Sequence, residues 1–326
     1  MLTLLDSALQ QRLTERHPVT DDYLVAVSGG RDSMALLDWL VKAGFENLTV
    51  LHFNHQLRGV ESDKDAALVK TRSREMNLAF ESSEGNVSKF AATHKLSIET
   101  AARKVRYDWM AEVAARLGCR RLFLAHHADD QVETVLINLF RGSGARGISG
   151  MDESSERTIA GTKMELLRPL LTIPRSEIDR YVSEQGVLFR EDESNTGEFA
   201  LRNRLRNDLL PRISQCFERD VTEAVLRAAE LARLDEALIT EITPAPRTLN
   251  HGLDVAALRA TSEALRNRQL FKWLQENEVP NCGQQEVLRV AEVALSNDKP
   301  AKTNLPGDFH ARRKEGVLFI EPPSKG

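Results

Sequence analysis

Short apolar runs alternate with stretches of helical period through residues 23–140. Tyr23-Leu-Val-Ala-Val27 reads as a buried strand, and Asp32–Lys42 as a helix with Met34, Leu37, Leu40 and Val41 on its core stripe. Leu48–Phe53 predicts a second strand, Glu61–Met76 a helix and Leu78–Glu81 a short strand. Ile98–Leu117 predicts a long helix that Gly118 stops, because a glycine accepts the left-handed conformation of a C-cap. Arg121–Ala125 is then a strand and Asp130–Phe140 a helix. This alternation predicts a doubly wound, mostly parallel α/β sheet with helices on both faces. Three polar clusters (28–33, 52–58 and 126–131) each follow a predicted strand, so they should converge on the carboxyl edge of the sheet, where such folds bind ligands.

Beyond Gly150 the texture changes. A hairpin over Thr158–Leu167 precedes a helix over Pro174–Gln185, then helices over Arg202–Arg212 and Arg219–Glu241. Thr243-Pro-Ala-Pro246 breaks the pattern and marks a linker. The remainder predicts helical stretches over Val255–Glu276 and Gln284–Leu295 and a closing strand over Val317–Glu321, a small α+β domain. The expected organisation is a catalytic domain over 1–215, a helical linker over 216–246 and a C-terminal domain over 247–326. We find no internal repeat.

Composition narrows the class. The 326 residues are 41% apolar and 28% charged, as in ordinary globular proteins. The longest apolar runs are strand-sized, so no membrane helix is expected, and the first residues lack a basic secretory n-region. Cys119, Cys216 and Cys282 are isolated and odd in number, which argues against a disulfide framework or a zinc knuckle and for a reducing cytoplasm. The net charge of −4 is no signature of a nucleic-acid binder. Yet Arg202, Arg204, Arg206 and Arg212 crowd one stretch, and Arg103, Lys104 and Arg106 another. Such clusters bind phosphate in some proteins and are merely solvated helix faces in others.

Ser28-Gly29-Gly30-Arg31-Asp32-Ser33 joins a strand to a helix start. Backbone N–H groups and the helix dipole there suit phosphate, and the glycines let the backbone approach its oxygens. The loop lacks the Lys of a Walker A motif and carries Asp32 instead. A carboxylate beside polyphosphate makes sense when it holds Mg2+ and diphosphate is the leaving group; an ordinary helix-capping turn is the competing reading. Gly142-Ser-Gly-Ala-Arg-Gly147 matches G-x-G-x-x-G but follows a helix rather than a strand, so we reject it as a dinucleotide site and expect a loop beside the active site. His126-His-Ala-Asp-Asp-Gln-Val-Glu133 is rich in metal ligands without zinc spacing, and carboxylates suit Mg2+ better. Asp129 and Asp130 could equally be helix caps.

Taken together these segments resemble the N-type ATP pyrophosphatase (PP-loop) superfamily and, within it, the tRNA(Ile)-lysidine synthetase family. The loop over 28–33 carries the superfamily resemblance. The family resemblance rests on His52-Phe-Asn-His-Gln-Leu-Arg58 with Ser62 and Asp63, on Glu99–Tyr107, and on Ala125–Thr134. It rests also on Leu167–Leu171 with Arg175–Ile178, and on Glu191–Asn195 with Arg202-Asn-Arg-Leu-Arg206, all in family order. Leu265–Trp273 is more loosely similar to that family's tRNA-recognition domain. The resemblance implies ATP and Mg2+ as cofactors, and free L-lysine and tRNA(Ile) with a CAU anticodon as partners. It implies no membrane partner and suggests a homodimer. It places Ser28, Gly29, Gly30, Arg31, Asp32 and Ser33 at the phosphates, Asp32 and Asp130 at the metal, and Arg106 and Arg206 as cationic clamps in catalysis. The rivals in the same chemistry are tRNA 2-thiolation, which calls for paired cysteines, and an amidotransferase-type synthetase, which calls for a glutaminase half; a non-catalytic nucleotide- or tRNA-binding module is a third.

Overall fold

The computed structural model describes residues 7–57, 59–191, 198–296 and 301–323, so Arg58 and residues 192–195 of the motifs above lie outside the described residues. The chain forms two compact units, Met1–Glu230 and Leu231–Gly326.

The first unit opens with α1 (Ser7–Arg16), β1 (Asp22–Ala26), α2 (Arg31–Lys42), β2 (Asn47–Asn54), α3 (Val60–Glu75), β3 (Ala79–Glu84), α4 (Val87–His94) and α5 (Ile98–Leu117). It continues with β4 (Arg121–Phe123), α6 (Ala128–Phe140), the one-turn α7 (Ala145–Ile148), β5 (Ser154–Ile159), β6 (Thr162–Leu167) and α8 (Arg175–Gln185). The strands form one sheet in the order β3-β2-β1-β4-β6-β5, parallel except for the outer β5. The expected doubly wound sheet is therefore present. The predicted hairpin over 158–167 is real but begins at Ser154, and its second strand continues the main sheet by pairing in parallel with β4.

Side-chain alternation divides the interior. Tyr23 and Val25 of β1 face a core with Leu36 and Leu40 of α2 and Tyr181 of α8, whereas Leu24 faces the other way, into a core with Met110 and Ala114 of α5. After β1 the chain winds outward through β2 and β3, then returns to lay β4 on the free side of β1. This reversal is the topological switch point, and the loops after β1 and β4 meet there.

The unit ends with α9 (Glu198–Arg204), a π-helical segment over Leu205–Leu209, and α10 (Leu210–Cys216). The helix α11 (Thr222–Ile242) runs from the first unit into the second. It covers most of the segment expected as a linker; the units divide between Glu230 and Leu231. The second unit has an antiparallel sheet, β7 (Thr248–Leu249), β8 (Gly252–Asp254), β9 (Lys302–Asn304), β10 (His310–Lys314) and β11 (Val317–Glu321), in the order β7-β8-β11-β10-β9. Its helices are α12 (Val255–Ala260), α13 (Glu263–Glu276) and α14 (Gln284–Leu295), and they share one core with Leu253, Ala311 and Leu318 of the sheet. The single helix expected over 255–276 is broken at Thr261–Ser262, where the chain turns extended.

Candidate active site

The loop after β1 folds as a phosphate cradle. Ser33 Oγ accepts from the Ser28 N–H (3.1 Å) and donates to the Gly30 carbonyl (2.9 Å), and Ser28 Oγ accepts from the Gly30 N–H (3.2 Å). Gly29 has φ +93°, and a Cβ there would lie 3.3 Å from Asp65 Cβ of α3, so only glycine fits. No side chain caps the start of α2. Its N-terminal amides therefore present the positive end of the helix to the sheet edge.

Asp32, in the first turn of α2, reaches across the switch point toward the loop after β4. Its Oδ2 lies 3.7 Å from His127 Nε2, and its Oδ1 is buried without a hydrogen-bond partner. His127 is the hub of the edge, 1% exposed. Its Nε2 lies 3.5 Å from Asp130 Oδ2 and its Nδ1 3.8 Å from Asp129 Oδ1. Backbone bonds fix this geometry: the His127 N–H donates to Asp130 Oδ2 (3.0 Å), and the Arg175 N–H of α8 donates to Asp129 Oδ1 (3.1 Å). Burial alone would lower the proton affinity of His127. Asp129, Asp32 and Asp130 overcome it and raise the pKa to about 10. A neutral ring could instead cap α6 through the Asp129 N–H, 3.3 Å from Nδ1; the three carboxylates favour the charged ring, and we assign it so. His127 in turn holds Asp129 at about 2. For Asp32 burial pushes upward, but His127, Arg175 and Arg206 hold the carboxyl below its ordinary value.

Arg206 approaches from the π-helical segment. Its Nε and Nη2 both donate to Glu133 Oε1 (2.8 and 2.7 Å), and Nη2 lies 3.7 Å from Asp130 Oδ1. Arg202 donates to the other Glu133 oxygen (3.1 Å). Glu133 is 1% exposed, and burial pushes its carboxyl upward although both guanidiniums oppose this. The expected Arg-Asn-x-x-Arg unit thus grips α6 through a buried glutamate.

Of the expected site residues, Ser28, Gly29, Gly30, Asp32, Ser33, Asp130 and Arg206 stand at this edge. Arg31 turns away: Nη1 pairs with Asp179 of α8 (2.5 Å), Nη2 with Glu191 (2.7 Å), and the guanidinium lies 4.7 Å from the centroid of the Phe189 ring. Arg106 sits on α5 over the Tyr107 ring and depresses the proton affinity of His126, so it belongs to the α5 side of the edge. Within the segment over 52–58, His52 Nδ1 bonds the Val27 carbonyl (2.9 Å) and Asn54 donates to Asp63 (2.9 Å), which ties the loop after β2 to the cradle. The glycine-rich segment over 142–147 opens only the one-turn α7, and Gln131 pins its far end by exchanging two hydrogen bonds with the Met151 backbone (2.9 and 2.8 Å). A Cβ on Gly150 would lie 2.6 Å from the Gln131 amide. Cys119 is at the opposite, amino end of the sheet, its thiol donating to the Asp22 carbonyl (3.2 Å). Sequence reasoning missed His127 as hub and Glu133 as anchor; the available signal was that Asp130 and Glu133, three apart, share a helix face.

No group of three or more His, Cys, Asp or Glu among the described residues forms a metal cage. The donor set instead fits Mg2+, which takes one or two carboxylates and completes its shell with phosphate oxygens and water. The partnerless Asp32 Oδ1 is such a donor. No helix among the described residues is long and apolar enough to cross a membrane.

Comparison with known proteins shows the family and the fold. Residues 4–213 match the family model of the PP-loop domain. The tRNA(Ile)-lysidine synthase of Geobacter sulfurreducens is 41% identical over 224 residues, covering 68% of this chain and 46% of that protein. The tRNA(Ile)-lysidine synthase of Solibacter usitatus is 33% identical over 312 residues, covering 92% of this chain and 68% of that protein. The chain thus spans about half to two thirds of the length of these relatives. Among solved structures, the U34-tRNA thiolase NcsA from Methanococcus maripaludis superposes with a TM-score of 0.55 at 15% identity, over 71% of this chain and 80% of that one, which shows a shared fold. The chain belongs to the PP-loop family and, within it, to the tRNA(Ile)-lysidine synthases.

Proposed function

We propose that this chain is an ATP-dependent ligase that joins free L-lysine to C2 of the wobble cytidine of tRNA(Ile) bearing CAU, forming lysidine, AMP and diphosphate. One observation carries the reading: an uncapped helix N-terminus, Asp32, Asp130 and Arg206 converge at the switch point of a PP-loop sheet. In the first step the cytidine O2 attacks the α-phosphorus of ATP, and the bond to the β-phosphate oxygen breaks with diphosphate as leaving group. In the second the lysine ε-amine attacks C2, the C2–O bond breaks, AMP departs and the amine loses its extra proton.

The amides of the 28–33 loop bind the diphosphate moiety, and Asp32 with Asp130 holds Mg2+. When bound, that ion neutralises phosphate charge and steadies the leaving group. Arg206, oriented by Glu133, and Arg106, from the α5 side, stabilise charge that develops on the transferred phosphorus oxygens. Either Asp130 or Asp32 assists in taking the amine proton. The target base leaves its stack in a single-stranded loop, as bases must to be modified, and the second unit takes part in recognising the tRNA. Thiolation has less support, because Cys119, Cys216 and Cys282 form no C-x-x-C pair and the thiol of Cys119 is at the amino end of the sheet. The homodimer belongs to the same reading, and sedimentation of the purified chain tests it.

The experiment combines purified protein, MgATP, labelled lysine and a CAU-bearing tRNA(Ile) transcript. Lysine incorporation with one AMP per lysine is expected. Absence of both incorporation and tRNA-dependent AMP overturns the reading.

A further inference from the structure

On the α5 side of the same edge stands a second group of side chains, of which the proposed reaction uses only Arg106. Arg103 and Arg106 both lie over the Tyr107 ring, their guanidinium carbons 5.1 and 5.6 Å from its centroid. Arg168 directly follows β6, whose Leu167 pairs with Phe123 of β4. Alternation puts Arg168 on the face of Leu166, which shares a core with Tyr107. Arg168 is only 6% exposed, yet its Nη1 meets two neutral acceptors, the Asp152 carbonyl (2.8 Å) and Ser155 Oγ (3.1 Å), and its Nε is buried with no acceptor. His126, three residues after the end of β4, also keeps a buried ring nitrogen, Nδ1, without a partner. These groups sense each other: Arg168, Arg103 and Arg106 all disfavour the charged form of His126, against Asp130, and Arg103 disfavours that of Arg168, against Asp152.

Gathering like charges around partnerless nitrogens is unfavourable unless an anion completes the set. Pinning the β5–β6 hairpin accounts for Nη1 of Arg168. It does not account for two further arginines over one tyrosine ring beside it. Guanidinium forks match the oxygens of phosphate better than any other common anion except carboxylate.

We propose that Arg103, Arg106 and Arg168, with Tyr107 and His126, form a pocket for one phosphate group of a substrate, on the α5 side of the edge that carries Asp32 and Asp130. The inference rests on reading the chain as an enzyme that takes both ATP and an RNA strand, and either could supply the phosphate.

The test compares the full-length chain with Arg168→Gln and Arg103→Gln. Arg103 is at the surface, so its variant keeps the test decisive if Arg168→Gln fails to fold. Three probes are titrated: inorganic phosphate, followed by the NMR signal of the His126 ring; MgATP, by calorimetry; and an anticodon stem–loop RNA, by anisotropy over a range of salt. Phosphate shifts the His126 signal in the wild type, and each variant needs about tenfold more of it. If the phosphate belongs to RNA, RNA affinity falls about tenfold and its salt slope by about one per arginine, with MgATP unchanged. If it belongs to the nucleotide, MgATP weakens and RNA does not. The pocket is overturned if the His126 signal ignores phosphate, or if both variants bind all three probes as the wild type does. A wild type that binds the probes but incorporates no lysine sinks the lysidine reading and leaves the pocket standing.

Discussion

His126 and His127 are consecutive in the chain, both largely withdrawn from water, and opposite in behaviour. Burial disfavours the charged ring in both. At His126 burial, reinforced by Arg168 after β6 and by Arg103 and Arg106 of α5, outweighs the opposing Asp130 and brings the pKa to about 4. At His127 the carboxylates of α2 and α6 overcome it and bring the pKa to about 10. One step along the strand end thus separates a basic wall from an acidic one. The charge around the sheet edge therefore changes sign between two consecutive residues.

The largest effect should come from the acidic wall. Asp32→Asn removes the carboxylate charge and replaces one of its oxygens by an NH2 group, and tRNA-dependent diphosphate release should fall on the order of a hundred- to a thousandfold with circular dichroism unchanged. Full activity in that variant would remove Asp32 from the metal site. Next is Glu133→Ala, which leaves Arg202 and Arg206 without their buried partner. It should lower unfolding stability by about 3 kcal/mol in urea and reduce activity as well; a stable, active variant would mean that the arginines do not need this anchor.

The histidine pair itself makes a pH prediction. The raised pKa of His127 contributes stability that is complete below about 6.5 and is lost as pH rises through about 10. His126 behaves in reverse, because its folded pKa lies below the unfolded one. The unfolded chain takes up the proton first, so stability falls as pH drops from about 6.5 to about 4. His127→Asn should flatten the alkaline limb of the stability–pH curve and His126→Asn the acid limb. Identical curves for the two variants would erase the contrast between the walls. The smallest effect is expected from Arg31→Gln: with its side chain paired to Asp179 and Glu191, partly exposed, the loss should be about 1 kcal/mol of stability with the KM for ATP within about threefold. A large rise in that KM would return Arg31 to the phosphates.

Much of this fold was legible in the sequence because periodicity and capping agreed. The predicted helix over Ile98–Leu117 is found with those bounds, stopped by a left-handed Gly118, and so are Gln284–Leu295 and Val317–Glu321. The polar clusters after β1 and β4 met where alternating strands and helices said they should. What stayed hidden depended on tertiary reach. The strand over 162–167 reads as half of a local hairpin, because nothing local tells that β4 is its other neighbour. Short strands such as Gly252–Asp254 are too brief to show a period. Arg31 carries a long side chain whose direction is decided by α8, far along the chain. Two adjacent histidines are indistinguishable by type, and only the charges that the fold assembles around them set them apart. His127 moreover stands at the N-cap position of α6, outside the Ser, Thr, Asp and Asn set by which helix starts are recognised.

In the proposed reaction this sheet edge converts the wobble cytidine. Mass analysis of the anticodon nucleosides, after incubation of the CAU-bearing tRNA(Ile) with the chain, MgATP and lysine, tests it most directly. A wobble nucleoside heavier than cytidine by lysine less one water is expected, absent when ATP is omitted. An unchanged cytidine from a folded, ATP-binding and tRNA-binding protein would contradict it.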